Sequence, residues 1–227
     1  MMMSETKRIE LINKIEEIRE TKVITYITSD RPRIRNMMEE SDIREFYQHI
    51  KKMGKSNKID LYLYSRGGVS TIAWALANLI REHYKDFSVL IPFRAFSCAT
   101  SLAVGANRII MHKAGFLGPV DPTVVSPFNP IIKNNLTPIS VEDVGSYLSL
   151  IKDKFDIKDQ INVTKGFEKL ASEINPLALG NAYRHYLKSR DDIRKLLELH
   201  LDPMKEKDRI DKIVEIMVEK LYFQKKF

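Results

Sequence analysis

Residues 59–112 contain an alternation of strand-like and helix-like runs: IDLYLYSRGGVSTIAWALANLIREHYKDFSVLIPFRAFSCATSLAVGANRIIMH. Three short runs of apolar and β-branched residues in it predict strands, at 59–64, 87–91 and 108–112. Two longer runs between them, rich in alanine and leucine, predict helices at 70–83 and 97–105. Because strands and helices alternate at this spacing, we expect right-handed crossovers and a parallel sheet.

The flanking sequence predicts one more strand and several helices. Isoleucines recur every three residues between positions 5 and 20, which is typical of an amphipathic helix, and the β-branched run 23–28 predicts a strand. Apolar residues at helical spacing predict further helices, at 41–53, 141–155, 163–173, 178–199 and 205–222. The segment 114–140 contains five prolines and is expected to be a loop.

The length of 227 residues is enough for one domain with a sizeable core. We therefore expect a single α/β domain over 1–227, with a parallel sheet and a helical C-terminal part. Its parts are an N-terminal helix, an α/β core and the helical part, at 1–20, 21–122 and 141–222.

The composition and the sequence patterns limit which cellular compartment and which cofactors are expected. The single cysteine, Cys98, excludes an intrachain disulfide and a cysteine-based zinc cluster. The charged N-terminus shows no secretory signal, and no apolar run approaches the roughly 18 residues of a membrane span. We expect a cytoplasmic protein without a stable membrane span. The five histidines show no metal-ligand spacing and no phosphate-binding loop is present, so neither a metal nor a cofactor is expected.

The net charge of +7 raises the possibility of a nucleic-acid partner. The lysines are dispersed, however, and no basic motif interleaved with aromatic residues accompanies them. We therefore expect no nucleic-acid partner.

Two turns carry the chemistry, Ser65–Val69 and Ala95–Ser101, each between the end of a strand and the start of a helix. Ligands of open α/β sheets bind outside the carboxyl ends of the strands, so both turns should face one crevice. The pair Gly67-Gly68 allows close approach of backbone N–H groups to a ligand. Ser97 at a helix start, with the N–H of Cys98 beside it, fits the stabilisation that an acyl-transfer oxyanion needs.

Simpler interpretations compete with this one. A Gly-Gly pair after a strand is often only a tight turn, and Ser97 fits an ordinary helix N-cap. Ser101 is a second candidate nucleophile, but four residues into the helix it should face the core. Cys98 is chemically a better nucleophile than serine, yet a lone cysteine is more often a small buried residue. No G-x-S-x-G motif is present, so a standard α/β-hydrolase is not indicated.

The residues 61–122 resemble the Clp protease/crotonase superfamily, and more narrowly the serine dehydrogenase proteinase family, relatives of Clp protease and signal peptide peptidase A. The matching pieces are SRGGV (65–69), AFSCATSLAVGANRIIMH (95–112), LGPVDP (117–122), NPLALGN (175–181) and SRDDIRKLLELH (189–200). The resemblance covers about residues 20–222. It implies a Clp/crotonase-like fold with repeated β-β-α/β-α units.

The same resemblance implies a function and a site. It makes Ser97 the nucleophile of a serine peptidase and assigns the oxyanion hole to the backbone at Gly67, Gly68 and Cys98. A polypeptide substrate would lie extended beside these turns and gain main-chain hydrogen bonds. Clp-fold proteins generally stack as trimers or larger rings, so a homo-oligomer is expected.

The resemblance does not identify the general base. Clp protease places a histidine after the strand that follows the nucleophile helix, where this chain has LGPVDP and no histidine. Asp121, in that segment, is a candidate for orienting a base. Signal peptide peptidase A uses a downstream lysine, and the candidates here are Lys169, Lys152 and Lys165. His112 is nearby in sequence, but more simply a surface residue.

Three alternatives follow from the sequence. The missing histidine favours an inactive scaffold of the same fold, which binds peptides or partner proteins. A crotonase-type acyl-CoA enzyme shares the paired backbone donors, but the serine position and the LGPVDP segment argue against it. Nucleic-acid binding would rest on the charge alone.

Overall fold

The computed structural model describes residues 4–31, 34–120, 123–157, 159–219 and 223–224. The chain divides into two compact units, one formed by Met1–Val120 with Asp192–Phe227 and the other by Asp121–Asp191. The helices after residue 141, expected as one part, are thus distributed over both units. The single domain expected over 1–227 stays a prediction.

The elements of the first unit up to residue 120 are α1 (Glu5–Arg19), β1 (Lys22–Ile27), β2 (Asp30–Arg31), β3 (Ile34–Arg35), α2 (Ser41–Lys52), β4 (Lys58–Tyr64), α3 (Thr71–His83), β5 (Asp86–Ile91), β6 (Arg94–Ala95), α4 (Cys98–Val104), β7 (Arg108–Met111) and β8 (Phe116–Leu117). The elements from residue 121 onward are β9 (Thr123–Val124), β10 (Ile131–Ile132), β11 (Asn135–Leu136), β12 (Ile139–Ser140), α5 (Val141–Ser149), a π-helical turn (Leu150–Lys154), α6 (Gln160–Glu173), α7 (Pro176–Glu198), α8 (Lys207–Glu219) and β13 (Phe223–Gln224). Helix α7 crosses the boundary at residue 191, and α8 and β13 belong to the first unit.

A four-stranded sheet in the order β1-β4-β5-β7 forms the centre of the first unit, and all its pairs are parallel. Leu61 of β4 lies between Ile24 of β1 and Val89 of β5, and Val89 lies opposite Ile109 of β7. Continuous apolar runs of this kind fit a parallel sheet covered on its faces. The predicted parallel α/β architecture is confirmed.

Helices α3 and α4 pack closely because their facing residues are small. Every residue of α4 is buried, and a Cβ atom on Gly105, just after it, would lie 3.0 Å from Cβ of Ala77. The alanine-rich sequence of α4 therefore sets the close approach of this helix to α3. Helix α4 begins directly after Ser97, so the packing of α4 determines the position of the serine.

Helix α1 forms as predicted, but its apolar residues are not covered. No residue of α1 is buried, and Ile9 and Ile18 are 51% and 81% exposed. The isoleucine spacing therefore predicts the helix correctly, but none of its residues is buried in the described structure. At its end, Arg19 donates to both carboxylate oxygens of Asp60, and Asp60 is 2% exposed.

The second unit is organised around buried polar and apolar contacts of its own. The amide of Asn129 donates to the carbonyl oxygens of Val124 and Thr137 at 2.8 and 2.9 Å, and its oxygen accepts from Ser126. The segment 114–140, expected to be a loop, contains short paired strands, since β10 pairs with β11 and β12 pairs with β9. Helix α5 has a side-chain N-cap, because the Ser140 hydroxyl accepts from the N–H of Asp143 at 3.2 Å.

In the part of the chain that the structure describes, no helix combines the length and the apolar character needed to cross a membrane.

Candidate active site

The two predicted turns run side by side beyond the carboxyl ends of β4 and β5, and the second of them begins in β6. Ser65, just after β4, forms a bridge with Ala95 of β6. The N–H of Ser65 donates to the carbonyl oxygen of Arg94 at 3.2 Å, and the N–H of Phe96 donates to the carbonyl oxygen of Ser65 at 3.1 Å. These bonds place the glycine pair directly beside Ser97.

Gly67 is in contact with the serine turn and must be glycine. Its φ is +102°, a conformation that residues with a side chain rarely adopt. A Cβ atom there would lie 2.7 Å from the carbonyl oxygen of Phe96, 2.9 Å from Cβ of Ser97 and 3.1 Å from the backbone nitrogen of Cys98. The glycine therefore allows one backbone to approach the other without an intervening side chain.

Gly68 pairs with Met38, a residue to which no sequence pattern pointed. The N–H of Met38 donates to the carbonyl oxygen of Gly67 at 3.0 Å, and the N–H of Val69 donates to the carbonyl oxygen of Met38 at 2.9 Å. In a parallel bridge the central residue directs its own N–H away from this partner. Among the described residues, the N–H of Gly68 has no acceptor.

Ser97 occupies the position before α4 in an unusual backbone conformation, with φ 53° and ψ −121°. An N-cap residue has φ and ψ in the β region and accepts a hydrogen bond through its side chain, whereas Ser97 does neither. The ordinary N-cap interpretation is therefore wrong. Such a conformation is strained for a residue with a Cβ atom, and strain of this kind clusters at functional sites. The Ser97 hydroxyl makes no hydrogen bond to a described residue.

Cys98 contributes a backbone N–H and a buried side chain. Its thiol donates to the carbonyl oxygen of Val69 at 3.1 Å, and burial raises the pKa of this thiol to about 12. At neutral pH the thiol is therefore protonated and a poor nucleophile. The N–H of Cys98, at the start of α4, has no acceptor within the described ranges.

Ser101, the second candidate nucleophile, is 6% exposed. Its hydroxyl lies 3.4 Å from the carbonyl oxygen of Ser97, one helical turn earlier. The side chain is therefore buried, as the sequence indicated.

The predicted base residues lie in different settings. Asp121 lies outside the described residues. Lys169, in the second unit, is exposed, and its hydrogen bond to Glu173 raises the pKa of the lysine. A lysine base needs a lowered pKa, so this pairing does not favour the role. Lys152 and Lys165 are also exposed residues of the second unit.

His112 is exposed to solvent, and its Nδ1 accepts from the N–H of Ala114 at 3.2 Å. This setting matches the surface role expected for it. No cluster of three or more His, Cys, Asp or Glu side chains that could hold a metal ion occurs among the described residues.

Buried hydroxyl groups form hydrogen bonds that stabilise both turns, and these contacts were not predicted from the sequence. The Thr100 hydroxyl lies 2.7 and 2.8 Å from the carbonyl oxygens of Ala95 and Gly118, and Thr100 is fully buried. Thr28 and Ser65 form a second buried contact beside Gly67. For Ser65, the sequence signal that could have indicated this role is a polar residue directly after a predicted buried strand.

An open pocket of about 320 Å³ adjoins the glycine turn. Its lining consists of Ser29, Asn36, Met37, Glu39, Arg66, Gly67 and Gly68. Gly67 thus lines this pocket and also contacts the turn that contains Ser97.

Comparison with known proteins points to one family. The family model of ClpP-like SDH-type serine proteinases matches residues 1–169. The chain is 31% identical over 124 residues to the uncharacterized protein MJ1495 of Methanocaldococcus jannaschii, covering 52% of this chain and 42% of that protein. It is 35% identical over 81 residues to the uncharacterized protein MJ0137 of the same organism, covering 36% of this chain and 28% of that protein. The chain thus spans less than half the length of these relatives.

A solved structure with a similar fold is that of the 1510-N membrane-bound stomatin-specific protease, a lysine-to-alanine mutant in complex with a substrate peptide. The TM-score is 0.51 at 12% sequence identity, and the match covers 89% of this chain and 67% of that chain. At this identity the likeness concerns the fold, and it confirms the predicted Clp-like architecture.

Proposed function

The chain belongs to the family of ClpP-like SDH-type serine proteinases, and we propose that it is a serine peptidase whose nucleophile is the Ser97 hydroxyl. The observation that carries this proposal is the backbone of Ser97, held at φ 53° beside the Gly67-Gly68 turn. A strained serine between a strand and a helix, with its hydroxyl unused by a cap, fits a nucleophile better than a structural residue.

The oxyanion hole in this proposal consists of the N–H groups of Gly68 and Cys98. Both lie next to the contact between Gly67 and Ser97, and neither has an acceptor among the described residues. The N–H of Gly67, by contrast, donates to the Ser65 hydroxyl at 2.9 Å. Gly67 therefore contributes its backbone conformation to the site and does not serve as a hydrogen-bond donor to the oxyanion.

The reaction is an acyl transfer through Ser97. The hydroxyl oxygen attacks the carbonyl carbon of the peptide bond while a general base takes the hydroxyl proton, and the two N–H groups stabilise the oxyanion. The carbon–nitrogen bond then breaks, and the amine leaves with that proton. Water hydrolyses the resulting ester and restores the serine.

The base stays a prediction in this proposal, with Asp121 as an orienting group and Lys169 as the first lysine to test. Replacement of Lys169, Lys152 and Lys165 by methionine, one at a time, distinguishes the lysines. The base variant is expected to lose hydrolysis at all pH values, because methionine preserves the size of the side chain but accepts no proton.

The substrate in this proposal is a polypeptide that pairs with the edge of Gly68 opposite Met38. The N–H of Gly68, which has no acceptor among the described residues, would bond to the substrate main chain, and the adjoining pocket would accept a side chain. A homo-oligomer in the cytoplasm, a trimer or larger ring, belongs to the same proposal.

A second candidate function is an inactive scaffold that binds peptides or partner proteins. The observation that favours it is the Ser97 hydroxyl, which contacts no basic group among the described residues. Hydrolysis of fluorogenic peptides by the full chain separates the two. A peptidase loses all turnover in Ser97→Ala and keeps it in Ser101→Ala, whereas a scaffold shows no turnover in the wild type and unchanged peptide binding in both variants.

A further inference from the structure

We propose that Thr28 and Ser65 are positioning residues, which hold the Gly67-Gly68 turn in the geometry that Ser97 requires. The catalytic consequence rests on the proposed function, whereas the positioning itself is a property of the fold. Neither residue touches the candidate reacting groups, so both would act through the backbone of Gly67.

The two side chains form a buried chain of hydrogen bonds. The Thr28 hydroxyl donates to the Ser65 hydroxyl oxygen at 2.8 Å, and the same oxygen accepts from the N–H of Gly67 at 2.9 Å. Thr28 and Ser65 are 4% and 1% exposed. Since water does not compete at buried groups, loss of either hydroxyl leaves a polar partner unsatisfied.

Ser65 links both turns of the site. Its side chain holds the glycine turn, and its backbone bonds to Arg94 and Phe96 on the serine turn. The N–H of Thr28 in turn donates to the carbonyl oxygen of Tyr64 at 2.9 Å, which fixes Thr28 just beyond the end of β1. The sheet thereby sets the position of the glycine turn.

The contact with Met38 and the Thr28–Ser65 pair act on different groups of the turn. Met38 engages the carbonyl oxygen of Gly67 and the N–H of Val69, and Ser65 engages the N–H of Gly67. Of the N–H groups of Gly67, Gly68 and Val69, that of Gly68 is the one that has no acceptor in the described structure. Because glycine has the widest conformational freedom, this N–H is directed only while its neighbours are held.

The kinetic test compares Thr28→Val with Thr28→Ser. Valine preserves the shape but removes the hydroxyl, and serine retains it. Thr21→Val is the matched control, because Thr21 is also buried and lies before the start of β1, at the opposite end from Thr28. If the pair positions the oxyanion hole, Thr28→Val lowers kcat about tenfold, less than the roughly 10²- to 10³-fold that loss of a donor costs. KM stays within about twofold, and binding of a peptide aldehyde weakens as kcat falls.

Thr28→Ser and Thr21→Val should retain the wild-type kcat. An unchanged kcat in Thr28→Val, or an equal loss in Thr21→Val, would overturn the catalytic part of the inference. Melting temperatures of all three variants show whether a loss of activity merely follows a loss of stability.

Amide hydrogen exchange tests the positioning without any activity. The N–H of Gly67 should exchange about tenfold faster or more in Thr28→Val than in the wild type, and at the wild-type rate in Thr21→Val. Unchanged exchange at Gly67 would contradict the positioning role. If the wild-type protein hydrolyses no peptide, the proposed function fails, and the exchange rates still decide this inference.

Discussion

A Cβ atom on Gly67 would lie 2.9 Å from the Cβ atom of Ser97, so the two turns touch without a side chain between them. The contact joins residues that are 30 positions apart in the sequence, and the same Cβ atom would lie 3.1 Å from the backbone nitrogen of Cys98. The candidate nucleophile thus lies beside the glycine turn, and the N–H groups of Gly68 and Cys98 next to this contact have no acceptor among the described residues.

Substitution of Gly67 by alanine is expected to abolish hydrolysis and to destabilise the protein by about 2 kcal/mol or more. Alanine at φ +102° is strained, and its methyl group would also overlap the carbonyl oxygen of Phe96. Gly54→Ala is the matched control, since Gly54 has φ +76° but a Cβ atom on it would meet no other atom within 4 Å.

Urea unfolding and peptide hydrolysis of both variants check this prediction. Gly54→Ala should lose about 1–2 kcal/mol from backbone strain and keep its activity. Full activity of Gly67→Ala would mean that the close approach to Ser97 is unnecessary.

The backbone strain at Ser97 predicts an unusual order of stability. Ser97→Gly should be more stable than Ser97→Ala by about 1 kcal/mol, because glycine adopts positive φ without steric cost. At Ser70, where φ is −60°, the order should be reversed, with Ser70→Ala the more stable variant. Thermal unfolding of the four variants measures both differences, and the same order at both positions would argue against strain at Ser97.

The Cys98 thiol is expected to be unreactive in the native protein. Burial raises its pKa from the ordinary 9.0 to about 12, so it carries almost no thiolate at pH 8. Ellman's reagent should therefore detect the thiol only after unfolding in urea. Rapid reaction of the native protein would show that the side chain is accessible.

The raised pKa of the Cys98 thiol also makes the stability of the protein depend on pH. The folded state holds the thiol proton more tightly than the unfolded chain does, so the stabilisation is complete below pH 9 and is lost as the pH rises toward 12. Comparison of the wild type with Cys98→Ala between about pH 8 and pH 11 isolates this contribution.

The ion pair of Arg19 and Asp60 is expected to hold the end of α1 to the sheet. Arg19→Ala leaves the buried carboxylate of Asp60 without its partner and should cost about 2–4 kcal/mol. Arg209→Ala removes an exposed pair with Glu206 at 2.6 Å and should cost less than about 1 kcal/mol. Equal costs in urea unfolding would show that the burial of Asp60 does not matter.

The main elements of the fold could be predicted from the sequence because their signals are local. The runs 59–64 and 87–91 and the alanine-rich stretch after Ser97 show the apolar spacing of strands and a helix, and the structure places them within one or two residues. The turns that follow these strands were also evident, because Gly67-Gly68 and Ser97 stand shortly after apolar runs.

What the sequence did not predict depends on contacts between distant residues. Met38 pairs with Gly68, 30 positions away, and no local pattern indicates this pairing. The two-residue strands of the proline-rich segment likewise exist only through their partners. The spacing of the isoleucines in α1 predicted a helix correctly, but periodicity does not tell whether another element covers its face. The positive φ at Ser97 follows from the packing of both turns and not from the residue itself.

Labelling with a fluorophosphonate probe tests the claim that Ser97 is an activated nucleophile. The purified protein is treated with the probe between about pH 6 and pH 9, the range of histidine bases and depressed lysine bases, and the adduct is located by peptide mapping. We expect one adduct, on Ser97, that is lost in Ser97→Ala and retained in Ser101→Ala. No adduct at any pH, or an adduct that persists in Ser97→Ala, would contradict the claim.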